Sequence, residues 1–194
     1  MKKLILVILI IPLAFLLKLL SPLYYIFGRV YYTASLISKI KSWDISIKCD
    51  GLIKVTGTKN ITIGKRCRLG KNSELRTMNG GCIRLGNEIR INRGCIITSY
   101  SNISIGDFTI IGEYTSIRDA NHGMEKNAPM RYQAHTFAPI NIGRDVWLGR
   151  GCCVLPDVTI GEGSVIGANS VVTKDIPSFS IAAGVPAKVI GKRE

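Results

Sequence analysis

The 194-residue sequence predicts an all-β fold, a coil of short parallel strands on a triangular plan with an apolar helical segment before it. Three observations predict it. Twelve six-residue units recur between Ile63 and Pro177, each opening on an aliphatic residue and nine carrying glycine second. A period of six matches neither the 3.6 of a helix nor the plain alternation of a half-buried sheet. Finally, the first thirty or so residues differ sharply in composition from the rest.

The N-terminal element, residues 1–45, begins Met1-Lys2-Lys3 and continues LILVILIIPLAFLL, Lys18 and LLSPLYYIFG. Its unbroken apolar run is 14 residues, short of the roughly 20 that cross a bilayer. Through Lys18 to Phe27 the length suffices, but Pro12, Lys18 and Pro22 interrupt it. The bulky Tyr24-Tyr25-Ile26-Phe27 stands where a secretory signal would need small residues for cleavage. Three readings stay open: a kinked helix dipping into one leaflet, a true span, and a helix packed on the domain.

The coil itself is expected over residues 46–186. In each unit the first residue points inward and the fifth is small or β-branched, as in IGRDVW, LGRGCC, VLPDVT, IGEGSV, IGANSV and VTKDIP from Ile142. Inward aliphatics stack into columns when three units close one turn of about eighteen residues. The second-position glycines are expected to serve corners that need unusual backbone angles. Coil starts are marked by Ile61/Ile63, Ile83/Leu85, Ile103/Ile105 and Ile140/Ile142, with the next at Ile160. The long gap after Ile105 leaves a loop over residues 118–139, where function tends to sit on a rigid scaffold. A basic tail, residues 187–194, follows a turn at Gly184-Val185-Pro186 and is expected to run along a groove.

A net charge of +13 and a pI near 9.7 call for an acidic partner. No zinc-finger spacing or nucleic-acid module is present, so no nucleic acid is expected; a phosphate-rich cofactor and an anionic lipid surface fit equally. The six cysteines form no C-x-x-C pair and read as reduced thiols, with Cys67, Cys95 and Cys152 as small inward packers. No metal site is expected.

The stretch IGRDVWLGRGCCVLPDVTIGEGSVIGANSVVTKDIPSFSIAAGVPAKVIGK resembles the C-terminal half of the hexapeptide acetyltransferases, above all the galactoside, maltose and cell-envelope polysaccharide O-acetyltransferases. The resemblance spans roughly residues 50 to 192. It implies a left-handed parallel β-helix, a homotrimer with active sites between subunits, acetyl-CoA as co-substrate and a glycan acceptor. With the apolar segment, it places the protein on the cytoplasmic face of the membrane, the wholly cytoplasmic alternative remaining open.

Acetyl transfer to a hydroxyl needs a base, an oxyanion site and a groove for the thioester. The sequence has two histidines, His122 and His135, both in the long loop. The resemblance makes His122, in Asp119-Ala-Asn-His-Gly, the base; His135 either contacts the acceptor or fixes the loop. Asp119 or Asn121 orients the imidazole, or Asp119 caps a turn; Glu125 is a weaker candidate. Trp147 either walls the cleft, as in the family, or packs on the exterior. Asn102 is a candidate acceptor contact. For the cofactor the resemblance points to Gly149, Arg150, Ala168, Thr173, Lys174 and Lys188, with Lys192 or Arg193 assisting. The competing readings are N-acetylation of an amino sugar or antibiotic, and a catalytically silent scaffold. A β-helix carbonic anhydrase would need three histidine ligands and is set aside.

Overall fold

The computed structural model describes residues 2–194, with side chains at residue 7 and from residue 10 onward. Met1 and the side chains of Lys2 and Lys3, the basic start of the apolar segment, lie outside the described residues. The expected fold class is what the chain adopts: a left-handed parallel β-helix with one N-terminal helix. Three faces succeed one another along the chain. Face I has eight strands, from Lys48–Cys49 to Ala187–Lys192. Face II has six, from Lys54–Gly57 to Val171–Val172, and face III five, from Ile61–Ile63 to Thr159–Ile160. All five predicted coil starts fall in face III, in register: Ile61 with Ile83, Ile83 with Ile103, Ile103 with Ile140, and Ile142 with Ile160.

The hexad explains the packing. First-position residues such as Ile63, Leu69, Ile91, Leu148 and Ile166 are buried, and so are fifth-position Cys67, Cys95, Thr115, Cys152, Ser164 and Ser170. Burial disfavours the thiolate, which pushes the Cys95 and Cys49 thiols up to about 11. Cys49, Cys67, Cys95 and Cys152 therefore act as small core residues.

The corner geometry corrects one expectation. The left-handed backbone is supplied by the fourth residue of the hexad, not the second. Arg66, Asn72, Glu88, Phe108, Tyr114, Asp145, Asp157 and Asn169 all have φ between 54° and 64°. The second-position glycines answer a different need. A Cβ on Gly149 would stand 2.6 Å from the Ala168 backbone nitrogen, and one on Gly112 2.5 Å from that of Arg150. They are close-approach glycines between stacked rungs, about 4.8 Å apart.

Helix α1 (Lys2–Ile37) runs through both Pro12 and Pro22. At Pro22 the missing N–H leaves the Lys18 carbonyl without its partner, and Ser21 Oγ donates to that carbonyl at 2.9 Å. Ile10–Ile37 is a 28-residue stretch of mean hydropathy 1.8, and its 18-residue apolar window has no buried share. At 1.5 Å per residue the whole stretch is about 42 Å, enough for a bilayer core of about 30 Å. Only the last turns of α1 meet the coil, where Leu36 is buried and Thr33 Oγ1 accepts the Cys49 N–H at 3.2 Å. At the other end, residues 187–194 do not run out along a groove. Ala187–Lys192 turns back antiparallel on Ser180–Gly184, and Arg193 pairs with Asp145 at 2.9 Å.

Candidate active site

The long loop leaves the coil between faces II and III. It opens with the strand Ala120–His122, which pairs antiparallel with His135–Phe137. That register sets His122 directly opposite His135, ring centroids 4.3 Å apart. The His135 ring in turn stacks on Tyr100 at 4.8 Å. Tyr100 is a site residue that sequence reasoning missed; it belongs to the neighbouring rung, so no local spacing pointed to it.

Asp119 is fully buried, and its hydrogen bonds go to the neighbouring rung rather than to either imidazole. Its carboxylate accepts from Ser99 Oγ at 2.7 Å, the Tyr100 N–H at 2.6 Å and the Ser101 N–H at 2.9 Å. Of its two expected roles it takes the turn-capping one. It cannot touch an acceptor; it fixes Tyr100, which packs on His135. Beyond His122 the loop is clasped by Gln133, whose Nε2 donates to the carbonyls of Glu125 at 2.7 Å and Ala128 at 2.6 Å. Its Oε1 accepts the Glu125 N–H at 2.8 Å. The result is an open cleft of about 500 Å³ with exposed His122 on its rim and Met124, Gln133 and Thr136 around it.

Asn102 starts a face III strand, where its Oδ1 accepts from Cys82 Sγ at 3.0 Å and from Arg84. It is a rung between coils, its acceptor oxygen already engaged. Trp147 is 54% exposed on the outside of face I, aligned with Ile110 and Val165.

The candidate cofactor residues divide between two edges of face II. Gly149, Arg150 and Ala168 stack at the corner from face I to face II. Lys188, on the returning strand, pairs with Ala183 one rung further along the same corner. Thr173 and Lys174 are exposed at the opposite corner, on the His122 side and two rungs beyond its strand. Lys192 pairs with Ser180, away from both corners. Within one chain, face II lies between His122 and the column that holds Gly149, so the chain does not bring base and cofactor corner together. Among the described residues no group of three or more His, Cys, Asp or Glu is placed to hold a metal ion.

Two family models match this coil: bacterial transferase hexapeptide (six repeats) over residues 139–174, and the hexapeptide repeat of succinyl-transferase over residues 60–99. A putative lipopolysaccharide biosynthesis O-acetyl transferase of Escherichia coli, WbbJ, is 36% identical over 141 residues, which cover 69% of this chain and 72% of that protein. The chain belongs to the hexapeptide-repeat acetyltransferase family. A probable acetyltransferase of Mycobacterium tuberculosis is 35% identical over 69% of the chain but 45% of its own length. The chain spans about half the length of several curated relatives it matches. Among solved structures, AntD, an N-acyltransferase from Bacillus cereus in complex with coenzyme A and an amino-deoxyglucose nucleotide, superposes with a TM-score of 0.70. It is 22% identical, and the match covers 81% of this chain and 87% of AntD. The family models thus match the coil on both sides of the histidine loop, over residues 60–99 and 139–174.

Proposed function

We propose that the protein is an acetyl-CoA-dependent O-acetyltransferase acting on a sugar hydroxyl of a cell-envelope polysaccharide or its lipid-linked precursor. The observation that carries this reading is the rim of the loop cleft, where His122 stands exposed, backed by His135 and Tyr100, in a chain of this family. His122 takes the proton as the acceptor oxygen attacks the thioester carbonyl. The carbon–sulfur bond then breaks, and the imidazolium returns that proton to the departing CoA thiolate. Backbone N–H groups at the glycine corners supply donors for the oxyanion. The protein works as a homotrimer in which the His122 loop of one protomer faces the Gly149–Ala168 corner of the next. Helix α1 holds it at the cytoplasmic face of the membrane. The O-acetyl assignment follows the WbbJ likeness, at an identity well above that of AntD.

The test is CoA release from acetyl-CoA in the presence of envelope glycan, with mass spectrometry of the product. His122→Ala is expected to lose about 10²- to 10⁴-fold in turnover with unchanged acetyl-CoA affinity. Turnover equal to wild type would remove His122 as base, and acetate found on nitrogen alone would replace the hydroxyl acceptor by an amine.

A further inference from the structure

Two cavities meet where helix α1 joins the coil. One, of about 420 Å³, is apolar and lies between α1 and the first coil, lined by Ile26, Val30, Ile45 and Ile47. The other, of about 500 Å³, is charged: Arg68, Lys71, Arg90 and Arg93 face Asp50 and Glu113 across it. Tyr25 lines both, so they adjoin at its side chain as the charged and apolar halves of one amphiphilic cleft. Arg68 is satisfied by Asp50, its Nε 2.6 Å from Oδ2, and Arg93 lies over the Tyr114 ring at 5.6 Å. Lys71 and Arg90 are exposed and make no ion pair or side-chain hydrogen bond among the described residues. Four cations against two carboxylates leave a cleft that attracts an anion.

Its position gives the anion a chemical class. Lys71, Arg93, Glu113, Arg150 and Ala168 follow one another at successive rungs of the corner between faces I and II. The charged cavity takes the half of that column nearest α1. The residues proposed for the acyl donor, Gly149, Arg150 and Ala168, take the other half. The strand that carries Arg90 lies two rungs from Trp147–Leu148, the strand before Gly149, or about 10 Å along the axis. That distance suits a sugar joined to a phosphate. The apolar half opens beside a helix long enough to cross a bilayer.

We propose that this cleft binds the lipid-linked sugar phosphate that serves as acceptor. Its phosphate or diphosphate rests on Lys71, Arg90 and Arg93. The first carbons of the lipid chain lie against Ile26, Val30 and Ile47, and the sugar points along the column toward the acyl donor. The inference rests on the acyltransferase reading above, and its test is a binding measurement that needs no turnover.

The full chain in nanodiscs of neutral phosphatidylcholine is titrated with geranylgeranyl diphosphate, with geranylgeraniol and with inorganic diphosphate. The diphosphate ester is expected to bind, and each half-ligand to bind at least about tenfold more weakly. The double variant Lys71→Gln/Arg90→Gln, at two exposed side chains, is expected to lose about tenfold or more in affinity for the ester. Acetyl-CoA binding retained by that variant confirms that the coil is folded; a variant that loses it is replaced by Arg90→Gln alone. His122→Ala is expected to bind the ester like wild type. Unchanged affinity in the charge variant, or inorganic diphosphate binding as tightly as the ester, overturns the proposal. So does loss of ester binding when phosphatidylglycerol replaces the neutral lipid, which would make the cleft a general headgroup surface. Acetylation of soluble glycan with no ester binding would sink this site alone. Ester binding with no acetylation of any acceptor would sink the acyltransferase reading alone.

Discussion

Gly123 follows the proposed base, and its lack of a side chain is what lets the loop close. A Cβ there would stand 2.8 Å from both Gln133 Cβ and Gln133 Oε1 and 2.9 Å from the Ala134 carbonyl. The Gly123 N–H donates to that same carbonyl at 3.0 Å, which sets the strand register that faces His122 with His135. Gly123→Ala must therefore push the Gln133 strand outward by tenths of an ångström and tilt both imidazoles. The coil beneath, held by its buried columns, is untouched. We expect turnover to fall by about 10- to 100-fold while the melting temperature moves little, because displacements of this size are expensive in catalysis and cheap in stability. Steady-state kinetics beside a thermal melt check this. Asp119 acts on the same geometry from beneath, holding the backbone of Tyr100, against whose ring His135 stacks.

Among the elements, each hexad divides its labour by position, and the sequence showed only part of that division. The inward first and fifth residues were legible because burial selects aliphatic and small side chains wherever the chain turns inward. The reason for the glycines was not legible. A glycine signals either a left-handed backbone or a close neighbour, and a single sequence does not separate the two. The fourth position hid the left-handed corner behind Arg66, Phe108 and Tyr114, residues that seldom adopt it and are held there by the ladder on either side. Two prolines in α1 similarly argued for an interrupted helix, whereas Ser21 repairs the carbonyl left open at Pro22. The close-approach role predicts a contrast. Gly149→Ala, whose Cβ meets backbone at 2.6 Å, should cost about 1–3 kcal/mol by forcing rungs apart. Gly191→Ala, with nothing within 4 Å, should be nearly neutral. Denaturant titration of the two variants measures the difference.

At the scale of the whole molecule the candidate site is legible as a set of residues and illegible as a place. The histidine loop and the glycine corner are separated by a full face of the coil, and the proposed trimer is what would bring one against the other. Helix α1 sets the other boundary. Removal of residues 2–30 should release the protein from membranes into the soluble fraction while leaving Leu36 and Thr33 to seal the first coil; fractionation and a mass measurement check both. The proposed sharing of the site between protomers makes a sharper prediction. His122→Ala removes the base and leaves the corner intact. Ala168→Trp fills the exposed corner position and leaves the loop intact. Each variant alone should be inactive. When the two are coexpressed at equal levels, about three quarters of the trimers are mixed, and in each of these one site in three pairs an intact loop with an intact corner, about a quarter of all sites. Activity should therefore return to about a quarter of wild type. If base and corner worked within a single chain, every site in every mixed trimer would carry one lesion, and coexpression would restore nothing.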